Sequence, residues 1–494
     1  MRCTDFFLAL FSLPFLLFAS SPWSLSPERM QVSQHSIEIG GQRLDYTATV
    51  GSLDVYDSSG NVLGAICFTA YAKQSGEPSV ERPITFVFNG GPGSSSVWLH
   101  MGAFGPKRIL NREEGQTRSP PYRWTVNEET LLDTTDLVFI DPIGTGFSKA
   151  AQADDLQFYA AWTDIQSVGD FIRDYLTLFS RWQSPKYLAG ESYGTTRAAG
   201  LSKYLLGEHG IYLNGIILIS VAIDYQTFLF SQGNCLPQVL FLPSFSAAAA
   251  YHQKLLTEEP LEMLMDRARA FAFEELLPAL SQGNLLPEKK KREIMEKLSS
   301  FTGIEKEVLQ KHYPHFEEIH FLLELLGKEQ QVIGRMDSRH TCPHFNLLPS
   351  AIQSEGLADP SMTAIEGIFT GAIHAYMRQE LECKQNYAPY QIFSVEANAR
   401  WYFSLPRSIT TLNTFDELRW AMVANPEMKI FVGSGYYDLA TPFAAAEYTF
   451  SHLDLPEAYT RQVEMHYYEG GHMYYLDRIA HKKFKQDLLS FFKN

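Results

Sequence analysis

The sequence predicts an α/β protein: one mixed, mostly parallel sheet covered by helices on both faces, with a largely helical insertion before its last strands. Three observations lead there. Six short apolar runs lack polar alternation, helical periodicity fills the gaps between several of them, and from 223 to 400 charged segments of helix length replace the strand pattern.

The first residues stand apart. Arg2 precedes an apolar run from Phe6 to Ala19, and Ala19-Ser20-Ser21 offers a small-x-small cleavage site, the layout of a secretory signal over residues 1–21. The run of 14 residues is shorter than the roughly 20 that a bilayer span requires. The chain is therefore expected to be exported, periplasmic or secreted, with no stable membrane span after signal removal.

Residues 35 to about 90 alternate apolar and polar, as in Ile37-Glu38-Ile39, with turn signals at Gly40-Gly41 and Ser59-Gly60-Asn61; this reads as an antiparallel meander. Ile84 to Phe88, Leu137 to Ile140, Tyr187 to Ala189, Gly215 to Ile219, Ile430 to Val432 and Val463 to Tyr468 read as strands buried on both faces. Helical spacing occupies Trp162 to Leu178 and Thr195 to Leu206, so 35–222 is expected to be the first part of the core. Within the insertion, 223–400, helices are expected over Leu261 to Leu277, stopped by Pro278, over Glu288 to Leu298, entered through Pro287, and over Phe316 to Leu326. The strand pattern returns near 428, which makes 401–494 the second part of the same core.

A hydrophobic share of 45% and a charged share of 20% belong to a globular chain with a sizeable core. The formal net charge of -15 repels polyanions, so nucleic acid is not expected as a partner. The basic run Lys289 to Arg292 is bracketed by Glu288 and Glu293 and reads as a solvated helix face. Once Cys3 leaves with the signal, Cys67, Cys235, Cys342 and Cys383 allow up to two disulfides in an oxidising compartment, with three connectivities open. His340 and His344 beside Cys342 read as bystanders of a disulfide, and Gly144-Thr145-Gly146 as a turn. Neither a metal nor a cofactor is expected.

The chemistry centres on Gly190-Glu191-Ser192-Tyr193-Gly194, a GxSxG placed between a strand and a helix as a nucleophile elbow requires. The glycines leave room for a sharp turn that exposes the Ser192 hydroxyl, and the helix N-terminus behind it favours negative charge on a tetrahedral intermediate. A serine hydroxyl needs an imidazole to take its proton and a carboxylate to hold that imidazole in the right tautomer. Asp438 and His472 meet the need, because each follows the carboxyl end of an apolar run: Asp438 after Gly433 to Tyr437, His472 after Glu469-Gly470-Gly471. The chain order Ser192, Asp438, His472 is that of the α/β-hydrolase fold. Glu469 is too near His472 along the chain to reach the ring from behind, and Asp477 is assigned to the closing helix.

Asn89-Gly90-Gly91-Pro92-Gly93-Ser94-Ser95, Gly190 to Gly194, Gly433 to Asp438 and Gly471-His472-Met473 together resemble the serine carboxypeptidase family, specifically its bacterial branch. The resemblance runs from about residue 35 to the end and includes Val332 to Arg339 in the insertion. It implies that the backbone N–H groups of Gly91 and Tyr193 form the oxyanion hole. It further implies that Asn89, Gly90 and Glu191 contact the free C-terminal carboxylate of a peptide substrate. Two ionised carboxylates about 4 Å apart repel by roughly 4 kcal/mol at an effective dielectric of 20, so Glu191 is expected to be protonated when substrate binds and affinity to fall as pH rises. Two positions depart from the family pattern: Ser94 stands where many members have a cysteine, and Ala103 where relatives place a second glutamate.

The activity implied is a secreted serine carboxypeptidase working through an acyl-enzyme on Ser192. Two other readings differ in what they predict. An esterase or acyltransferase on the same residues would not distinguish a blocked dipeptide from its C-terminal amide, and a non-catalytic binding protein of this fold would not label at Ser192 with an organophosphorus probe.

Overall fold

The computed structural model describes residues 30–74, 81–110, 119–152, 156–255, 257–313, 316–344, 359–383, 388–403 and 411–493 of the chain. The expected signal at 1–21 lies outside them. Among the described residues no helix is long and apolar enough to cross a membrane.

Side-chain patterning divides one sheet into two zones. Strands β1 (Gln31–Ile39), β2 (Gln42–Tyr56) and β3 (Val62–Lys73) form an antiparallel meander, and Gln34, Ser36 and Glu38 of β1 face water. Gly40 and Gly41, with φ of 55° and 77°, make the first of its turns in a backbone region that side chains disfavour. Strand β4 (Ile84–Phe88) follows, then a small hairpin of β5 (Lys107–Ile109) and β6 (Trp124–Val126), then β7 (Asp136–Asp141) and the short β8 (Lys149–Ala150). Helix α1 (Ala161–Leu178) leads to β9 (Lys186–Ser192), and helix α2 (Tyr193–His209) to β10 (Gly215–Val221).

The sheet order is β1-β2-β3-β7-β4-β9-β10, continued after the insertion by β13 (Lys429–Gly435) and β14 (Val463–Tyr468), with β8 paired to β3. From β7 to β14 all neighbours run parallel. The chain passes from β4 outward to β7 and then returns to the other side of β4 as β9. This reversal opens a crevice at the carboxyl ends of β4 and β9, where α/β sheets bind ligands.

Strands β4, β7 and β10 are buried along their whole length, as uninterrupted apolar runs require. Ile217, Ile219 and Phe431 face a core shared with helix α15 (Arg478–Lys493), while Ile216, Leu218 and Ile430 face one shared with α1 and α2. Strand β14 departs from expectation: it is the sheet edge, and its residues from Val463 to Tyr467 are only partly buried, which suits its polar Glu464 and His466.

The segment after β10 contains helices α3 (Leu236–Leu240), α4 (Leu242–Tyr251), α5 (Leu261–Phe271), α6 (Leu277–Gln282), α7 (Glu288–Thr302), α8 (Lys306–His312) and α9 (Glu318–Glu324). Their apolar faces make a third core that includes Tyr436, Leu439 and Phe443. Pro278 does not stop the chain as expected. A π turn over Ala272–Leu276 widens the helix there, Leu277 N–H reaches back to the Ala272 carbonyl, and Pro278 enters α6 in its first turn, where its missing donor costs little. A hairpin of β11 (Gln331–Ile333) and β12 (Thr341–Pro343) also lies here, too short to read from periodicity. Helix α10 (Pro360–Gln379) packs Ile368, Phe369 and Ile373 into the sheet's own core, and α11 (Val395–Ala399) begins beside the β4 loop. Helices α12 (Phe415–Ala424), α13 (Phe443–Ser451) and α14 (Glu457–Thr460) complete the connections to β13 and β14. Among the described residues Cys67 and Cys235 form no disulfide, so the two bridges that the cysteine count allows are not both made there.

Candidate active site

Ser192 ends β9 and caps α2 with φ 59° and ψ -128°, a conformation that side chains rarely adopt and that turns its side chain out of the strand. The turn tolerates no side chain at Gly190, where a Cβ would fall 2.3 Å from the Gly194 carbonyl oxygen. The loop after β4 meets the elbow so closely that a Cβ on Gly90 would lie 2.5 Å from Tyr193 N. The backbone N–H groups of Gly91 and Tyr193 thus belong to loops in direct contact, and Gly91, with φ of 100°, sits where glycine is favoured.

Behind these loops lies a fully buried charge. Arg197 Nε donates to Asp164 Oδ2 at 2.8 Å, Arg197 Nη1 donates to the Asn89 carbonyl at 2.7 Å, and Tyr193 Oη donates to Asp164 Oδ2 at 3.1 Å. The guanidinium carbon lies 5.2 Å from the ring centres of both Phe88 and Tyr193. One side chain therefore ties the β4 loop to the elbow.

On the other side of the crevice, His472 Nδ1 stands 2.8 Å from Asp438 Oδ2, with both residues buried. Asp438 Oδ1 accepts from Ala440 N and Thr441 N, and Thr441 Oγ1 donates to Oδ2, so the carboxylate is held by three donors besides the ring. Burial works against a charged imidazole at His472, but the Asp438 charge and hydrogen bond outweigh it and leave the ring above its ordinary pKa. Ser220, at the end of β10, donates to the His472 carbonyl at 2.7 Å, which brings the His472 loop over the strand beside Ser192. Among the described residues no hydrogen bond joins the Ser192 hydroxyl to His472; such bonds are commonly long before substrate binds.

Glu191, 1% exposed, projects beside the elbow. Its Oε2 accepts from Asn89 Nδ2 at 2.6 Å and from Tyr475 Oη at 2.7 Å. Burial pushes its carboxyl up to about 7, against the lowering effects of the His472 charge and of these two donors. A second buried acid, Asp141, supports the β4 loop by accepting from Ser96 N and Tyr390 Oη, each at 2.9 Å, and burial raises it to about 7 as well.

The family model described as serine carboxypeptidase matches residues 65–480. The chain belongs to the serine carboxypeptidase family. Among curated relatives, it is 30% identical over 164 residues to serine carboxypeptidase-like 38 of Arabidopsis thaliana, covering 31% of this chain and 32% of that protein. It is 33% identical over 140 residues to the pheromone-processing carboxypeptidase KEX1 of Ogataea parapolymorpha, covering 28% of this chain and 21% of that protein. The matched stretches thus span about a third or less of these relatives. The crystal structure of the prohormone-processing carboxypeptidase KEX1(delta)p from Saccharomyces cerevisiae superposes with a TM-score of 0.54 at 16% identity, covering 90% of this chain and 91% of that one. The fold is the α/β-hydrolase fold.

The two departures from the family pattern have distinct settings. Ser94 Oγ accepts from Trp98 Nε1 at 2.9 Å. Ala103 is wholly buried in a π turn, its carbonyl accepting from Asn127 Nδ2 and lying 2.9 Å from His481 Nε2. Beside it, the Tyr475 ring lies where a Cβ on Gly102 would approach it to 2.8 Å.

The eight residues singled out in this member of the serine carboxypeptidase family lie around one crevice: Asn89, Gly90 and Gly91 on the β4 loop, Glu191, Ser192 and Tyr193 at the elbow, Asp438 and His472 after β13 and β14. Of the rival acids, Asp477 is not inside the closing helix. It caps α15, its Oδ1 accepting from Ile479 N and Ala480 N, and its Oδ2 lies 3.5 Å from Arg339. Tyr475, Thr441, Arg197 and Asp164 escaped the sequence reading; the only local signals are the short spacing of Tyr475 from His472 and of Thr441 from Asp438. Beyond Met473 a cavity of about 260 Å³ opens between Ile109, Asp337, Ile368 and Leu476.

Proposed function

We propose that the chain is a secreted serine carboxypeptidase that releases C-terminal amino acids from peptides. The observation that carries the reading is Glu191, a buried carboxyl group raised to about 7, hydrogen-bonded to Asn89 and adjacent in sequence to Ser192. A carboxyl that stays neutral in mildly acidic solution donates a hydrogen bond to a terminal carboxylate, whereas an ionised one repels it. The neighbouring serine then attacks the bond that releases the last residue.

In this mechanism Ser192 Oγ attacks the scissile carbonyl as His472 Nε2 takes its proton, while Asp438 holds Nδ1–H and stabilises the imidazolium. The tetrahedral oxyanion accepts hydrogen bonds from Gly91 and Tyr193 N–H. His472 returns the proton to the leaving amine, the C–N bond breaks, and water resolves the acyl-enzyme on Ser192 by the same steps in reverse. No cofactor or metal takes part in this scheme.

The competing reading, an esterase or acyltransferase on the same residues, draws on Ala103, which removes one carboxylate-recognition group. The decisive measurement is hydrolysis of an N-blocked dipeptide against its C-terminal amide, with Ser192→Ala as blank. The carboxypeptidase reading expects the free acid to be preferred and its KM to climb as pH rises through about 7. Equal rates for acid and amide, or a KM flat from pH 4 to 8, would overturn it.

A further inference from the structure

The two oxygens of the Glu191 carboxyl have unlike surroundings. Oε2 accepts from Asn89 Nδ2 at 2.6 Å and from Tyr475 Oη at 2.7 Å, and among the described residues Oε1 makes no hydrogen bond. The orientation of the Asn89 amide is not free, because its Oδ1 accepts from Leu99 N at 3.0 Å and its Nδ2 must then face Glu191. With two donors aimed at Oε2, the proton of a neutral carboxyl is placed on Oε1.

Tyr475 reaches this position through a tightly constrained ring. It is 2% exposed, lies three residues beyond His472 on a single 3-10 turn, and packs against Gly102, where any Cβ would meet Cε2 at 2.8 Å. Ala103, next to Gly102, offers no polar side chain. The Tyr475 hydroxyl is thus the second side-chain donor to Glu191 Oε2, beside Asn89. The remaining groups facing Glu191 are His472 and Asp438 from the acid–base loops and Tyr474 from the same turn. Tyr474 and Tyr475 stay neutral, since burial raises both hydroxyls well above their ordinary range.

We propose that Tyr475 is a positioning residue for Glu191: by donating to Oε2 alongside Asn89, it leaves the carboxyl proton on Oε1 for the terminal carboxylate of the substrate. This rests on the carboxypeptidase reading above. It also has a direction in pH. A hydroxyl donating to Oε2 favours the ionised carboxylate, so removing it moves the Glu191 titration upward while loosening its orientation.

The test compares the wild type, Tyr475→Phe and Glu191→Gln on an N-blocked dipeptide and its amide across pH 5–8. Tyr475→Phe is expected to raise KM for the free acid about fivefold at pH 5, the loss of one hydrogen bond. It should also shift the rise of KM to higher pH and leave the amide reaction within twofold. An unmoved inflection, or equal losses on acid and amide, would overturn the proposal. Glu191→Gln separates the two levels: if it leaves the pH dependence of KM intact, the reading of Glu191 itself fails; if it flattens that dependence while Tyr475→Phe shifts nothing, only the role of Tyr475 falls. Should Tyr475→Phe not fold, Gly102→Ala displaces the same hydroxyl by its methyl group and is read by the same two outcomes.

Discussion

The proposed nucleophile side and the proposed acid–base side of this crevice are held by different physics. On the nucleophile side the ties are side chains of the core: Arg197 bridges Asp164 and the Asn89 carbonyl, and Tyr193 closes on Asp164. On the acid–base side the ties are backbone groups reaching a strap from the insertion. Leu439 N donates to the Arg335 carbonyl, His472 N to the Met336 carbonyl at 2.6 Å, and both Ser338 N and Ser338 Oγ to the Tyr437 carbonyl at 3.0 Å. Asp359 in turn accepts from Arg335 N and Met336 N, each at 3.1 Å, while capping α10. The elbow and the β4 loop are thus tied to each other by core side chains, with Tyr390 and Ser394 of the insertion adding contacts to the loop and to Asp141, whereas the acid–base half hangs by its backbone on a segment inserted about a hundred residues earlier.

In the proposed mechanism both halves serve one serine. Ser192→Ala is therefore expected to lower kcat by about 10⁵-fold or more and to abolish organophosphorus labelling. Residual turnover near wild type would mean that the two halves do not share a nucleophile. The buried charge offers the next largest effect. Arg197→Met strands Asp164 without its partner and is expected to cost about 3–5 kcal/mol in urea unfolding. A loss under 1 kcal/mol would show that the nucleophile side does not rely on that ion pair.

Loosening the strap should have a different signature. Asp359→Ala removes the acceptor of two backbone donors and a helix cap, with an expected stability cost of about 2 kcal/mol. Because His472 and Asp438 lose support, kcat should fall about tenfold at unchanged KM, since a base shifted by a fraction of an ångström loses rate before it loses binding. A fall in KM-linked binding with kcat preserved would break the assignment of the strap to the acid–base half.

The smallest effect concerns pH. Glu191 and Asp141, both on the nucleophile side, are raised by burial to about 7, so each contributes stability that is full below its unfolded pKa and is lost as pH rises through about 7. Between pH 6.5 and 8 this amounts to roughly 0.8 kcal/mol per group. Buried His100 and His481, lowered to about 3 and about 4, stay neutral in the folded state but are half protonated at pH 6.5 when unfolded, so each regains roughly 0.4 kcal/mol over that window and offsets part of the loss. Between pH 6.5 and 8 the unfolding free energy of Glu191→Gln should therefore rise relative to the wild type by about the single-group amount, and equal pH slopes for the two proteins would contradict this.

Much of this arrangement is legible in the sequence. The runs Ile84 to Phe88 and Gly215 to Ile219 lie in strands because unbroken apolar stretches bounded by turns leave few alternatives. The elbow is legible because its glycines answer a steric demand within five residues. Pro278 shows the limit: its usual consequence was cancelled by a π turn that no propensity reveals. The polar edge strand β14 shows another, since an apolar run does not say which of its neighbours is missing.

Determined by the sequence alone were the class of fold and the family, and with them the succession of Ser192, Asp438 and His472 proposed as nucleophile, acid and base, all properties of short segments and their order. Only the tertiary structure decided that Tyr475 would donate to Glu191 across 284 residues, that Arg197 would bind the Asn89 carbonyl across 108, and that a strap from the insertion would hold the His472 loop. Such contacts depend on where folding brings distant groups. A buried donor or acceptor must find a partner, and one sequence read along its length does not say which of many polar groups will be within 3 Å.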